Sequence, residues 1–217
     1  MTGWAHAFES ADKWAVWTAG DYTVANDVWG DNPGPETIWA DSAGNWGVTT
    51  TQSGGGIKSY PHSDYGKVHM AVSALGRLTS SFSADTPAGC AYDMAYDIWL
   101  DGNKYEVMIW NRWERTNPIA KSYNSDGTPN PTYTNVTIAG VTYDVYTGIG
   151  GSGACMSFLR RNQVDSGTVD LAAVLKWIST TKWYDNPTLT SVQCGWEITS
   201  TGGSRKSFTM KSFSVTR

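Results

Sequence analysis

From residue 21 to the C-terminus the chain is cut into short runs of Val, Ile, Tyr, Trp and Thr. Clusters of Gly, Asn, Asp and Pro separate them. Runs bounded in this way read as many short antiparallel strands. The pattern predicts strands at 21–29, 68–75, 90–100, 104–111, 141–147, 154–161, 190–199 and 207–216. One segment departs from it. In 169–180, Leu171, Val174, Leu175 and Ile178 fall at i, i+3, i+4 and i+7, one face of an amphipathic helix, with Ser166 or Thr168 as its expected cap. A lone helix in an otherwise all-β chain is expected to lie outside one sheet and bury that stripe. The 23 Gly, 12 Trp and 17% charged residues fit a sandwich or barrel with tight turns. A length of 217 residues is read as one domain spanning 1–217, large enough to hold a core without metals or staples.

A net charge of −4 argues against nucleic acid as a partner. No apolar run has the length to cross a membrane. Cys90, Cys155 and Cys194 lack metal-ligand spacing, so no metal or cofactor is expected. They read as small buried residues, with one disulfide and a leftover thiol as the alternative. His6, His62 and His69 also lack ligand spacing, although His62 could line a cleft. Gly148, Gly150 and Gly153 match G-x-G-x-x-G, but a strand follows instead of a helix, so the match reads as a turn. The Trp excess has two readings, core packing and flat platforms on which sugar rings stack.

Residues 91–110 read AYDMAYDIWLDGNKYEVMIW. Asp101-Gly102 is a two-residue hairpin signal. With that turn, Leu100 pairs with Asn103, Asp97 lies opposite Glu106, Ala95 opposite Met108 and Asp93 opposite Trp110. Alternation puts Ile98, Leu100, Val107 and Ile109 on a core face. Asp97, Glu106, Met108 and Trp110 fall on the other. Carboxyls directly across a ladder repel, and a shared proton with one raised pKa is expected.

Residues 191–203, SVQCGWEITSTGG, give a second isolated glutamate. Val192, Cys194, Trp196 and Ile198 share the core face, and Gln193, Gly195 and Glu197 the opposite one. Gly195 is read as leaving room for a ligand beside Glu197. Two carboxyls, one ionised and one protonated, are the minimum for cutting a glycosidic bond.

These segments resemble glycoside hydrolase family 12, the small β-jelly-roll endoglucanases. The matching pieces are YTVANDVWG (22–30), IKSYP (57–61), AYDMAYDIWL (91–100), YEVMIW (105–110), NPIA (117–120) and CGWEI (194–198), in the family's order. The resemblance implies two antiparallel sheets, the inner one curved into an open cleft, with one helix on the back. It implies retention of anomeric configuration, with Glu106 as nucleophile, Glu197 as acid/base and Asp97 hydrogen-bonded to the nucleophile. It also implies Trp14 and Trp29 as sugar platforms, and Asn26, Met108 and Trp110 lining the same cleft.

Three departures bear on substrate. Asn26-Asp27 stands where the family often has Asn-Asn, Ala120 stands where the proline turn usually ends in Gly, and no cysteine precedes Cys90. The expected activity is internal cleavage of cellulose or mixed-linkage β-glucan. A xyloglucan-specific hydrolase or transglycosylase is the alternative, and a carbohydrate-binding module without chemistry is the rival of another class. The expected partner is a β-glucan polymer acted on by a monomer. The opening MTGWAHAFES does not read as a secretory signal. Because polymers cannot enter a cell, an extracellular location with the signal already removed is expected.

Overall fold

A computed structural model describes residues 5–151 and 153–217. The strands form two sheets. The smaller runs, in spatial order, β1 (Phe8–Ser10), β4 (Glu36–Ser42), β5 (Asn45–Thr50), β16 (Lys206–Thr216), β8 (Thr79–Asp85) and β14 (Ser166–Asp170). The larger runs β11 (Tyr133–Ile138), β12 (Val141–Gly150), β13 (Gly153–Arg160), β10 (Tyr105–Glu114), β9 (Ala91–Leu100), β15 (Thr188–Ser200), β6 (His62–Tyr65), β3 (Tyr22–Ala25) and β2 (Val16–Ala19). The two-residue β7 (Met70–Ala71) also pairs with β15. Among the described residues the ladders are antiparallel except β10 with β13, which is parallel.

Alternation decides what the larger sheet buries. Ile98, Leu100, Val107, Ile109, Val192, Cys194, Trp196 and Ile198 all enter the core between the sheets, as the sequence predicts. Across from them, Trp46 meets Trp196 edge to face, with ring centroids 5.4 Å apart. Trp divides between core and surface: Trp46 and Trp196 are fully buried, whereas Trp14 and Trp29 are 63% and 49% exposed. All three cysteines are buried and free. The three glycines of the G-x-G-x-x-G match belong to the β12–β13 hairpin, where Gly150 pairs with Gly153.

The helix, α1 (Leu171–Thr181), buries the expected stripe into the same core and meets β8, β11 and a 3-10 turn at Val72–Ala74. Its cap differs from the expectation. Ser166 and Thr168 lie in β14, and Asp170 caps the helix by accepting from the Ala173 amide at 2.9 Å. The predicted strand 68–75 shrinks to β7 and the 3-10 turn.

The β9–β10 turn is also corrected. Tyr105 pairs with Leu100, so the turn spans four residues, and Asp97 lies opposite Met108 while Glu106 lies opposite Trp99. Trp110, not Met108, lies opposite Ala95, and Asp93 faces Trp113. The cause is on the neighbouring strand. The Asp101 amide donates to the Thr188 carbonyl at 2.8 Å, and its carboxylate accepts from the Thr188 amide at 2.8 Å. Asp101 is thus tied to β15 and cannot close a two-residue turn with Gly102. A shift of two residues leaves every side chain on its predicted face.

Candidate active site

The face of the larger sheet turned away from the core carries an open cavity of about 720 Å³. Glu106, Glu197 and Asp97 all line it. Their strand positions make this informative. Glu106 sits in the row of Trp99 and Glu197 in the row of Asp93, six residues apart along β9. On a flat sheet that separation would be roughly 20 Å. Here the Glu106 charge acts on Glu197, and both face one cavity, so the strands must bend around it. Register breaks occur in β10 between Trp110 and Arg112, and in β15 on both sides of the site, between Leu189 and Ser191 and between Ile198 and Ser200. Such bulges bend and twist a strand.

The carboxyls modify one another. Burial pushes Glu197 up to about 7. That value already includes a downward pull from Asp93 and a smaller upward push from the Glu106 charge. Burial raises Glu106, while a hydrogen bond from the Cys155 side chain, its neighbour on β13, lowers it. Burial pushes Asp97 well above the usual carboxylate range, helped by the charges of Glu106 and Glu197. Asp97 and Glu106 are diagonal neighbours on one face, in place of the direct pair expected from the sequence.

The predicted binding residues divide. Trp29 lines the cavity. Trp14 is exposed on the segment before β2, which Asn26 holds in place. Asn26 is itself fully buried, with Nδ2 donating to the Asp12 carbonyl at 2.9 Å. Met108 and Trp110 are also buried, packed with Ala95, Cys155 and Leu159 on the same face of the sheet as Glu106. Asn26, Met108 and Trp110 are not among the residues that line the cavity.

His62 is buried too, stacked on Tyr60. Gly195 does not open space for a ligand. A Cβ there would stand 2.0 Å from the Pro61 carbonyl oxygen, so the glycine admits the neighbouring backbone.

Other wall residues had no assigned role in the sequence reading. Trp99 donates from its indole to Gln193 Oε1 at 3.2 Å. Gln193 and Ser191 in turn donate to Asp64, forming a polar floor across β9, β15 and β6. Ile119, in the NPIA turn, covers the far side, where Gly148 leaves room for it over β12. Trp99 shares the face of Asp97 by alternation and was visible in principle. Ile119 was not, because its place depends on a loop fold. A second cavity of about 250 Å³ shares Trp29 and Ile57 with the first and is bounded by Gly55, Gly56 and Lys58.

Comparison with known proteins places the chain in a family. The family model described as Glycosyl hydrolase family 12 matches residues 20–216. A xyloglucan-specific endo-β-1,4-glucanase A of Emericella nidulans is 32% identical, over 94% of this chain and 88% of its own. The xyloglucanase domain of NopAA, a type three effector from Sinorhizobium fredii solved with cellobiose, superposes with a TM-score of 0.93. It is 36% identical and covers 97% of this chain and 98% of its own. The native endo-1,4-β-glucanase CelB2 superposes with a TM-score of 0.80 at 25% identity, over 96% and 98% of the two chains. The chain therefore belongs to glycoside hydrolase family 12 and is a glycoside hydrolase with the family's jelly-roll fold.

Proposed function

We propose that the protein is a retaining endo-β-1,4-glucanase with xyloglucan as its preferred polymer. Glu106 is the nucleophile, Glu197 the acid/base and Asp97 an aid to the nucleophile. The observation that carries this reading is the convergence of Glu106 and Glu197 on one open cavity from distant rows of the sheet. In the first step the Glu106 carboxylate attacks the anomeric carbon. The bond to the departing chain breaks, and the Glu197 proton passes to the leaving oxygen. In the second step Glu197 takes a proton from water. The resulting hydroxide attacks the same carbon and releases Glu106.

A raised pKa keeps Glu197 protonated in mildly acidic solution, as a proton donor requires. The cavity is open to solvent, which favours cuts inside a chain, and Trp29 offers an indole face to a sugar. The polymer is too large to enter a cell, so the enzyme acts outside the cell that makes it, as a single catalytic domain and a monomer.

Xyloglucan is favoured over unbranched glucan by the second cavity. A branch sugar leaving the main chain beside Trp29 has space there, and an unbranched chain has no use for it. The curated relative from Emericella nidulans bears the xyloglucan-specific name.

Reducing-end release and product sizes on cellulose, mixed-linkage β-glucan and xyloglucan test the reading. Glu106→Gln and Glu197→Gln should each lower kcat by about 10³-fold on the best of them. Normal turnover by Glu106→Gln ends the assignment. A Cβ at Gly55 meets nothing within 4 Å, so Gly55→Gln fills the side cavity without strain. It should lower kcat/KM on xyloglucan about tenfold and leave unbranched β-glucan unchanged. Equal effects on both polymers remove the branch argument.

A further inference from the structure

Asp93 is the carboxyl in this cluster that the two-step reaction does not use. It lies in β9 with its Cα directly opposite that of Glu197 in β15, and it is only 1% exposed. Directly paired residues of this kind hold their Cβ atoms about 4.5–5.5 Å apart on one face, so the two carboxyls lie within reach of a hydrogen bond. Two ionised carboxylates cannot form such a bond, because neither has a hydrogen to give. One of them holds a proton. Oδ1 of Asp93 is buried with no hydrogen-bond partner, whereas Glu197 opens onto the cavity. A buried charge with an unpartnered oxygen is costly, so the proton belongs on Asp93.

We infer that Asp93 is a positioning residue for proton transfer. It stays neutral and donates its O–H to Glu197, and that bond strengthens as Glu197 becomes a carboxylate in giving up its own proton. The inference rests on Glu197 being the acid/base. Its physical basis is that a hydrogen bond to an ionised acceptor is about twice as strong as one to a neutral acceptor. The bond therefore stabilises the departing-proton transition state more than the resting acid. No proton leaves Asp93 in either step, so the reaction still balances through Glu197 and water alone.

The titratable groups around the pair are Glu106 on β10, Asp97 on β9 and Tyr60 just before β6, with Cys155 beside Glu106 on β13. Each of them is negative when ionised. Each thus opposes charge on Glu197, and Asp93 is the neighbour whose hydrogen bond favours it.

Two substrates separate this role from a structural one. A glucan chain leaves as an alkoxide and needs the proton. A dinitrophenyl β-cellobioside leaves as a stable phenolate and does not. Asp93→Leu should lower kcat/KM on the glucan by about 10- to 100-fold, the range of one charge-assisted hydrogen bond. It should leave the aryl glycoside within about twofold and move the basic limb of the glucan pH profile upward. Asp93→Asn keeps a weaker N–H donor. It should recover most of the glucan activity, with the basic limb displaced upward by about half a pH unit.

Equal losses of Asp93→Leu on both substrates, or an unmoved or lowered basic limb in Asp93→Asn, overturn the inference. Glu197→Ala is the control for the underlying assignment and should show the same preference for the aryl glycoside, more strongly. If it shows none, the acid/base reading fails and this inference with it. If it does and the Asp93 variants do not, only the role of Asp93 fails.

Discussion

Glu197 and Glu36 are two carboxyls that burial pushes up to about 7, in opposite sheets of the sandwich. Glu197 faces a cavity and three other acids. Glu36 faces hydroxyls and an amide. Ser59 Oγ donates to its Oε2 at 2.9 Å, with Thr50 and Gln52 beside it, and these neighbours offset part of the burial cost. The shift is the same and the surroundings differ. A displaced pKa marks a reactive group only where a substrate can reach it and where other groups can use the proton.

The largest test of the contrast is activity. Glu197→Gln should cost about 10³-fold in kcat, while Glu36→Gln should stay within about twofold. A comparable loss in both would break the distinction.

The next test is structural and concerns the segment 59–62 that runs between the two acids. Ser59 holds Glu36, Tyr60 lines the cavity, and the Pro61 carbonyl presses on Gly195. Gly195→Ala places a methyl 2.0 Å from that carbonyl, so either the segment or β15 must move. A loss of about 3 kcal/mol or more in urea unfolding is expected, with activity falling as well. A variant of unchanged stability would mean the two regions are not joined through this backbone.

The smallest effect separates the acids by pH. A carboxyl whose folded pKa is raised contributes stability that is full below its unfolded value and lost as pH rises through the folded one. For Glu36 the window runs from 4.5 to about 7. Glu36→Gln should therefore match the parent at pH 4 and exceed it by about 3 kcal/mol at pH 8, by urea unfolding at both. A difference that does not depend on pH would show that Glu36 is not ionising inside the fold.

Much of this was legible in the sequence, for reasons that differ by element. The strands around Ile98, Val107 and Trp196 show themselves by alternation, which reports the core face directly. Strand β8, TSSFSAD, and β4, ETIWADS, show no clear alternation because Ser, Asp and Ala dilute the signal. Both are held by their partners in the smaller sheet. The hairpin register departs from the local turn signal of Asp101-Gly102 because the paired hydrogen bonds between Asp101 and Thr188 override it. Glu106, Glu197 and Asp97 could be found from isolated acids in aromatic strands and from the family resemblance. Asp93 stood in the same quoted segment, yet its meaning lies in β15, about a hundred residues later, and no local pattern reports that neighbour. Glu36 gives no signal of its own, since a lone Glu in a strand reads as a solvated side chain.

The two glutamates of the cleft do not occupy adjacent rungs of the sheet. They sit at the ends of an arc, and the gap between them is a property of how tightly that arc is drawn. A polymer bound across the proposed site would lie like a string in a drawn bow. Strain that relaxed the bow would part the acids even with each still on its own strand, so the proposed reactivity is tied to the stiffness of the strands as well as to the residues they carry.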